Sequence, residues 1–541
     1  MSARRVVIIG GVAGGMSAAT RLRRLDETAE ITVLEKSGNV SYANCGLPYY
    51  VGGEIQSRDS ILLQTPHSLW ERFRIRVHVS TEATTIDREA RTVTARDTVS
   101  GLEQRYEYDS LILSPGAHPR LPDIPGAEHA SVLRTVEDAD HLHELASGRR
   151  QPRAVIVGGG FIGVELAENL VRRGIETHIV EFAPTILPGF DQEMIRPFGR
   201  HLEDSGVRVH LNTGASAITA DSVTLTDGTV IEDAFTVLSV GVVPETSLAA
   251  AAGLSLGRSG GIAVDEQLRT SDPDIFAVGD AVEKATDQGS RLIPLANLAN
   301  RHGRLVADVI AGLDSRTRPA IGTAIVTAFG LAAAMTGMSE RAALAAGRSI
   351  RVVHLHPNSH ATYYPGAKQF ALKIVLDAQD GTILGAQAVG AEGIDKRIDV
   401  IATAIAGGLR GEDLMDLELA YAPQFGSAKD AINMAGYVID NVTSGLSDTI
   451  QWHELDGAII AGATLIDVRT SEEHAGGGIP SSVNIPLDEL RERLDEITGE
   501  DIIVHCKVGQ RGHTAARLLT EHGLRVRNLD GGWLTWQAAR A

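Results

Sequence analysis

One arrangement limits the possible folds more than any other: a strand, a glycine turn, a helix and a second strand ending in an acid, found twice. In the first copy the apolar run Arg5–Ile9 leads into Gly10-Gly11-Val12-Ala13-Gly14-Gly15. A helix is predicted over 16–26 and a strand over 31–34, ending at Glu35. In the second copy a strand over 154–157 precedes Gly158-Gly159-Gly160-Phe161-Ile162-Gly163. A helix running to 173 and a strand over 176–180, ending at Glu181, complete the unit. Short uninterrupted apolar runs suit strands buried on both faces of a parallel sheet. Gly10, Gly14 and Gly15, and likewise Gly158, Gly160 and Gly163, allow a tight turn and close backbone approach, so that a pyrophosphate sits on the helix N-terminus. Glu35 and Glu181 then accept hydrogen bonds from a ribose. Val12 stands where the middle glycine of this pattern normally lies. Two units imply two dinucleotides, one a flavin and one a nicotinamide. Glu181, with no arginine immediately after it, favours NADH over NADPH.

A chain of 541 residues provides three or four domains at ~150 residues each. Its net charge of −19 argues against a nucleic-acid partner or an anionic membrane surface. Arg4-Arg5 and the apolar run over 6–13 mimic a signal peptide, but cleavage there would destroy the first unit. No apolar stretch approaches the ~20 residues needed to span a bilayer. Two cysteines in separate domains cannot build a disulfide framework, so the expected location is a reducing cytoplasm.

Cys45 lies in Ser41-Tyr42-Ala43-Asn44-Cys45-Gly46-Leu47-Pro48-Tyr49-Tyr50. Ser41 or Asn44 can cap a short helix starting near Cys45, where the helix dipole lowers the thiol pKa and creates a nucleophile. The competing reading is a small buried hydrophobe, which the polar and aromatic neighbours fit poorly. Cys506 follows a strand over 501–505 and opens the loop Cys506-Lys507-Val508-Gly509-Gln510-Arg511-Gly512, before a helix over 513–522. Successive N–H groups in such a loop form an anion nest suited to a thiolate or persulfide; a phosphatase-like loop has similar geometry. His354 and His356 share one face of a strand. No carboxylate or cysteine lies near them in sequence, so no metal is expected. Asp280 and Glu283 form either a capping pair or part of a nucleotide site.

Further motifs supply a resemblance. The strand over 270–280 ending in Gly279-Asp280, and Ser114-Pro115-Gly116-Ala117 with Pro119, resemble the flavin-domain return and crossover of flavoprotein disulfide reductases. Asp467-Val468-Arg469, Ile479-Pro480, Asn484-Ile485-Pro486, the Cys506 loop and Gly531-Gly532-Trp533 resemble a rhodanese, although Gly478 replaces the usual histidine before Ile-Pro. The whole chain is similar to coenzyme A-disulfide reductases fused to a rhodanese domain, the NADH-dependent persulfide reductase group. This resemblance implies an α/β chain with two Rossmann-like FAD/NAD(P)-binding domains, an α+β dimerisation domain and a C-terminal α/β rhodanese domain. The boundaries are 1–115 and 246–320 for FAD, 116–245 for NAD(P)H, 321–445 for dimerisation and 446–541 for rhodanese, with a linker over 441–448.

The resemblance also implies roles. FAD falls to Gly10, Gly14, Gly15, Glu35 and Asp280, and NADH to Gly158, Gly160, Gly163 and Glu181. Coenzyme A falls to Ser17, Arg21, Arg24, Ser41, Asn44, His302 and Lys429; on composition alone Arg21, Arg23 and Arg24 would be a solvated helix face. Tyr363, rather than Tyr364, and Tyr421 reach across a homodimer to the other subunit's cysteine. Cys45 and Cys506 are the catalytic cysteines, the latter carrying sulfane sulfur within Lys507, Val508, Gly509, Gln510 and Arg511. With no second cysteine nearby, Cys45 must cycle through a mixed disulfide, a sulfenic acid or a persulfide. Peroxidase and oxidase relatives carry a histidine in the first glycine turn, and this chain does not. The expected substrate is a small-molecule disulfide or persulfide. The rival readings are an NADH oxidase or peroxidase, and a flavin redox sensor or sulfur carrier with little turnover.

Overall fold

Each glycine turn meets a neighbouring strand so closely that no side chain fits. In a computed structural model describing residues 3–148 and 153–540, Gly10 has φ +97° and a Cβ there would stand 2.0 Å from the Ser114 carbonyl oxygen. Its counterpart Gly158 has φ +110° and would clash with the Ser239 carbonyl at 2.3 Å. A Cβ at Gly15 would lie 1.9 Å from the Gly10 carbonyl oxygen, and one at Gly163 would lie 2.1 Å from that of Gly158. The two copies therefore share a steric solution as well as a sequence pattern. The first helix spans Ala13–Leu25, starting before the predicted residue 16, because the Met16 N–H already bonds the Val12 carbonyl at 3.0 Å.

The chain divides into two compact units, one formed by the chain to Phe182 with Gly206–Gly322, the other by Ala183–Ser205 with the chain from Thr323. In the first unit a parallel sheet has the order Ile275–Ala277, Ser110–Leu113, Arg5–Ile9, Glu30–Leu34, Ile75–His78. Its outer strand Ile275–Ala277 returns from far along the chain to pair with Ser110–Leu113. A second parallel sheet has the order Val207–Leu211, Glu176–Glu181, Arg153–Val157, Ala234–Leu238.

In the second unit an antiparallel sheet runs Ala324–Ala328, Leu331–Gly337, Ile383–Gly390, Ala371–Asp377, Ile350–Leu355. Helices Ile394–Gly407 and Ala431–Thr443 bury Ile398, Ile401, Ile432 and Ile439 against it. The latter helix, capped by Asp430, runs into the predicted linker. Between these helices lies a 3-10 turn, Glu412–Asp416. Helix Gln192–Asp204 also belongs to this unit, although its sequence falls between two strands of the second Rossmann sheet. A last parallel sheet orders Thr449–Ile450, Arg525–Leu529, Asp501–His505, Thr464–Asp467, Val483–Asn484. Its helix Gln510–Glu521 starts ahead of the predicted 513, because Gly509 at φ +94° turns the chain directly into it.

Candidate active site

Cys45 occupies a 3-10 turn, Asn44–Gly46, that feeds the helix Leu47–Gly52. Neither Ser41 nor Asn44 caps that helix: Ala43 and Gly46 stand at the cap positions, without side-chain bonds. Ser41 instead takes φ +50° and donates its backbone N–H to the Gly11 carbonyl at 2.8 Å, fastening the cysteine segment to the first glycine turn. With its amide in the orientation that satisfies both neighbours, Asn44 donates to the Arg134 carbonyl at 3.2 Å and accepts from Arg134 Nη1 at 2.5 Å. The short helix is held by its tyrosines and by its end. Tyr50 donates to Asp140 at 3.1 Å and stacks on His143 at 5.0 Å. Tyr49 donates to Glu165 at 3.3 Å, and Arg173 donates to the Val51 carbonyl at 2.6 Å.

The thiol is free and the residue exposed. Its pKa nonetheless lies above the ordinary cysteine value, first because the surrounding protein desolvates the sulfur, then because Glu165 and Asp280 repel a thiolate; Arg134 opposes them. This reverses the expected lowering. The helix is six residues long and has no capping side chain, and desolvation together with the two carboxylates sets the direction. Burial also raises the Glu165 pKa.

The nucleotide residues converge at the carboxyl ends of the two parallel sheets, where open α/β sheets bind ligands. Glu35 accepts the Gly11 N–H at 2.6 Å and the Ser37 N–H at 2.9 Å. Glu181 accepts the Gly159 N–H at 2.8 Å. Both acids thus brace their own turns. A Cβ at Gly14 would stand 2.9 Å from Ser114 Oγ and 3.0 Å from Val278, so the first cradle stays open only with glycine. Asp280 arrives on the turn Gly279–Ala281, 3.7 Å from Arg134. It does not pair with Glu283, which accepts from Ser259 Oγ at 2.6 Å. Two glycine cradles that admit close backbone approach, each with a carboxylate at the end of its second strand, fit a pair of dinucleotides. Lys284, which belongs to no sequence motif, is buried close to Asp280. It donates to the Gly279 and Val282 carbonyls at 2.8 and 3.1 Å, and burial lowers its pKa to about 8.

The residues expected to contact coenzyme A divide between the two units. Ser17, Arg21, Arg24 and His302 lie on the packed helices Ala13–Leu25 and Ala296–Ile310. Ser17 donates to Asn300 at 2.6 Å, Arg21 pairs with Asp308 at 2.7 Å, and Arg24 lies over Phe73. His302 is buried; desolvation lowers its pKa to about 4, and its Nδ1 has no partner. Arg23 is an internal strut rather than part of a solvated face, donating to the carbonyls of Phe73, Glu27 and Ala29 at 2.7 Å each. Lys429 is exposed in the second unit. So are Tyr363 and Tyr421, 74% and 47% exposed, whose hydroxyls bond each other at 2.8 Å. Tyr364 instead packs edge-on against His360.

Cys506 is buried at the end of its strand, and its sulfur accepts the Gly509 N–H at 3.2 Å. Of the loop residues, Lys507 and Gln510 are exposed, while Val508, Gly509 and Arg511 are half-buried. Arg511 holds Glu473 with two bonds of 2.7 and 2.8 Å. Beside Gly478, His474 bonds the buried Asp467 at 2.9 Å, and a Cβ at Gly478 would crowd its ring at 3.1 Å. The histidines over 354–360 also meet unexpected partners. His354 lies 2.7 Å from Asp530 and 3.2 Å from Glu193, carboxylates distant in sequence. Beside them Asp191, Glu193 and Glu340 form a carboxylate cluster of metal-ligating size, but the Lys373 ammonium fills it, 2.9 Å from Asp191 and 2.6 Å from Glu340.

Residues 4–303 match the model of the pyridine nucleotide-disulphide oxidoreductases, 323–431 that family's dimerisation domain, and 451–539 the rhodanese-like domain. The chain belongs to the pyridine nucleotide-disulphide oxidoreductase family. Membership implies FAD and NAD(P)H as cofactors. The chain is 32% identical to the coenzyme A disulfide reductase of Staphylococcus aureus strain JH9 over 439 residues, which are 80% of this chain and 99% of the relative. Among solved structures, reduced Bacillus anthracis CoADR-RHD is 44% identical with a TM-score of 0.98, the match covering 100% of this chain and 98% of that one. The NAD-dependent persulfide reductase from A. fulgidus is 35% identical with a TM-score of 0.92, over 98% of this chain and 100% of that one. A water-forming NADH oxidase from Lactobacillus brevis, 22% identical with a TM-score of 0.77 over 82% of this chain and 100% of that one, shares the fold.

For this oxidoreductase, the sequence missed groups whose partners lie far along the chain: Glu165 and Asp140 around the Cys45 helix, Lys284 close to Asp280, and the Lys373 cluster. A buried lysine in an otherwise apolar strand, Lys373 between Leu372 and Ile374, was the one available signal. Among the described residues, no helix is long and apolar enough to cross a membrane.

Proposed function

We propose that this oxidoreductase uses NADH to reduce coenzyme A disulfide, coenzyme A persulfide or a related low-molecular-weight persulfide at Cys45, with the rhodanese domain carrying sulfane sulfur on Cys506. The observation that carries this reading is a lone free thiol tied by Ser41 to the first glycine turn, in a chain resembling both coenzyme A disulfide reductase and persulfide reductase. Gly10, Gly14, Gly15, Glu35 and Asp280 would hold FAD, which would supply two-electron transfer between NADH and the oxidised sulfur. Gly158, Gly160, Gly163 and Glu181 hold NADH; a carboxylate at Glu181 repels a ribose 2′-phosphate, favouring NADH over NADPH.

The chain's own residues do the rest. The Cys45 thiolate attacks the substrate's sulfur–sulfur bond, forming a mixed disulfide or a persulfide and expelling a thiolate. Tyr363 and Tyr421 protonate that leaving group across a homodimer; their hydroxyls already form a donor–acceptor pair. Two electrons from NADH then cleave the Cys45 disulfide or persulfide, releasing thiol or sulfide and restoring the thiolate. Ser17, Arg21, Arg24, Ser41, Asn44, His302 and Lys429 form the coenzyme A site, with Arg21 exchanging Asp308 for phosphate. Two free thiols suit a reducing cytoplasm.

The test is anaerobic NADH consumption with coenzyme A persulfide and coenzyme A disulfide, for the native chain and for Cys45→Ser. Turnover that depends on Cys45 supports the proposal. No anaerobic turnover with either sulfur substrate, with NADH consumed once oxygen is admitted, refutes it in favour of the oxidase reading.

A further inference from the structure

The turn Asp530-Gly531-Gly532 joins the Cys506 loop to the dimerisation sheet. On one side of the turn, His354 at the end of strand Ile350–Leu355 bonds Asp530 twice: Nδ1 to Oδ2 at 2.7 Å, and its backbone N–H to the same oxygen at 3.0 Å. Gln451 adds a bond from its amide to Asp530 at 3.2 Å and another to the Val352 carbonyl at 3.1 Å. A Cβ at Gly531 would meet His354 Cβ at 2.8 Å, so the turn lies directly on the histidine. On the other side, the Trp533 N–H donates to the Cys506 carbonyl at 2.8 Å and the Leu534 N–H to the Lys507 carbonyl at 3.0 Å. Gly532, at φ +60°, leaves a Cβ only 2.5 Å from the Cys506 carbonyl oxygen and 2.9 Å from the Gly509 nitrogen, the atom whose N–H bonds the Cys506 sulfur. His356 adds a parallel tie, Nε2 to Thr535 Oγ1 at 2.8 Å.

We infer that His354 is a positioning residue for Cys506: through Asp530 it fixes the turn that sets the loop N–H groups around the sulfur. The dimerisation domain would then complete the sulfur site of the rhodanese domain. Four carboxylates, Asp191, Glu193, Glu340 and Asp530, face this junction, along with Lys373, His356 and Lys507. Burial alone would discharge His354, but the bonds to Asp530 and Glu193 override it and raise its pKa to about 9, so the clamp is charged at neutral pH. A charged donor between two buried carboxylates resists replacement by a neutral side chain, because each carboxylate left behind is desolvated and unpaired.

The inference rests on Cys506 being a sulfur-carrying nucleophile, and the test separates the two ideas. In full-length Cys45→Ser protein, where Cys506 is the sole cysteine, the pH midpoint of Cys506 alkylation by iodoacetamide is measured by mass spectrometry. Thiosulfate–cyanide sulfur transfer is measured alongside. Asp530→Asn keeps the size and a hydrogen bond of the clamp while removing its charge; His354→Gln is the more severe variant. Glu340→Gln perturbs the same cluster without touching Asp530. The expected result is an alkylation midpoint about one pH unit higher and about tenfold slower sulfur transfer in Asp530→Asn, with Glu340→Gln unchanged. An unchanged midpoint in Asp530→Asn, or an equal shift in Glu340→Gln, overturns the positioning role. If the midpoint moves as expected but the parent protein transfers no sulfur, the positioning stands and the sulfur-carrier reading falls.

Discussion

Replacing Lys373 by methionine removes the cation from a largely buried carboxylate cluster that reaches solvent only at Glu340. The lysine side chain is 1% exposed, and its ammonium serves Asp191, Glu193 and Glu340 together. Methionine matches the shape of the stem, so the loss is almost wholly electrostatic. Stripping one partner from a buried ion pair costs about 3–5 kcal/mol. For a unit of this size that is roughly 6–20 °C in melting temperature, at about 2–4 °C per kcal/mol. The pH dependence identifies the cause. In the native chain Glu193 is buried, which alone would raise its pKa, but His354 and Lys373 outweigh burial and hold it far below the ordinary 4.5. A carboxyl depressed in this way adds stability above pH 4.5 that is lost only as pH falls through the folded value. In Lys373→Met the crowded carboxylates titrate upward instead, so stability is lost as pH rises. The gap between native and variant should widen from pH 5 to pH 7, and calcium should narrow it by entering the vacated carboxylate cluster. Differential scanning calorimetry at both pH values, with and without calcium, reads all three effects. A variant melting within 2 °C of native, or a gap independent of pH, would refute the reasoning.

Four further outcomes rest on the site geometry. Gly163→Ala places a methyl 2.1 Å from the Gly158 carbonyl; at an overpacking cost of about 1–3 kcal/mol it should raise the KM for NADH about tenfold with flavin content intact. Gly15→Ala should do the reverse, lowering flavin content read by absorbance. Glu165→Gln removes a charge that opposes the Cys45 thiolate, so the pH midpoint for Cys45 alkylation should fall; a rise would show that the carboxylate supports the thiolate. Tyr363→Phe and Tyr421→Phe each break the 2.8 Å hydroxyl pair. Each should slow turnover about tenfold, the equivalent of about 1.4 kcal/mol in the barrier, while thermal stability stays unchanged.

The nucleotide-binding framework was legible in the sequence because its determinants are local. A buried strand, a turn that only glycine can make, and an acid at the next strand's end lie within one short stretch, twice. The environment of Cys45 was not legible. A serine three residues ahead of a prospective helix reads as a cap, yet Ser41 adopts φ +50° to reach the Gly11 carbonyl, a contact set by tertiary packing. The carboxylates that shift the thiol pKa come from a helix and a turn far along the chain. His354 shows the same limit: its partners Glu193 and Asp530 lie 161 and 176 residues away. The helix Ala431–Thr443 was hidden because its polar end resembles a linker, although Ile432 and Ile439 pack in the core. Gly478 reads as a departure from the rhodanese pattern, and the closeness of the His474 ring to it is set by the fold.

The central claim is that Cys45 alone exchanges sulfur with a coenzyme A-linked substrate. It is tested most directly by mixing the protein as purified anaerobically with coenzyme A disulfide, without NADH, so that the Cys45 thiolate displaces one coenzyme A thiolate, and mapping adducts by mass spectrometry. The account predicts a coenzyme A mixed disulfide on the Cys45 peptide, absent from the Cys506 peptide, that disappears when NADH is added. A Cys45 found only as sulfenic acid, or an adduct that NADH leaves in place, would contradict it.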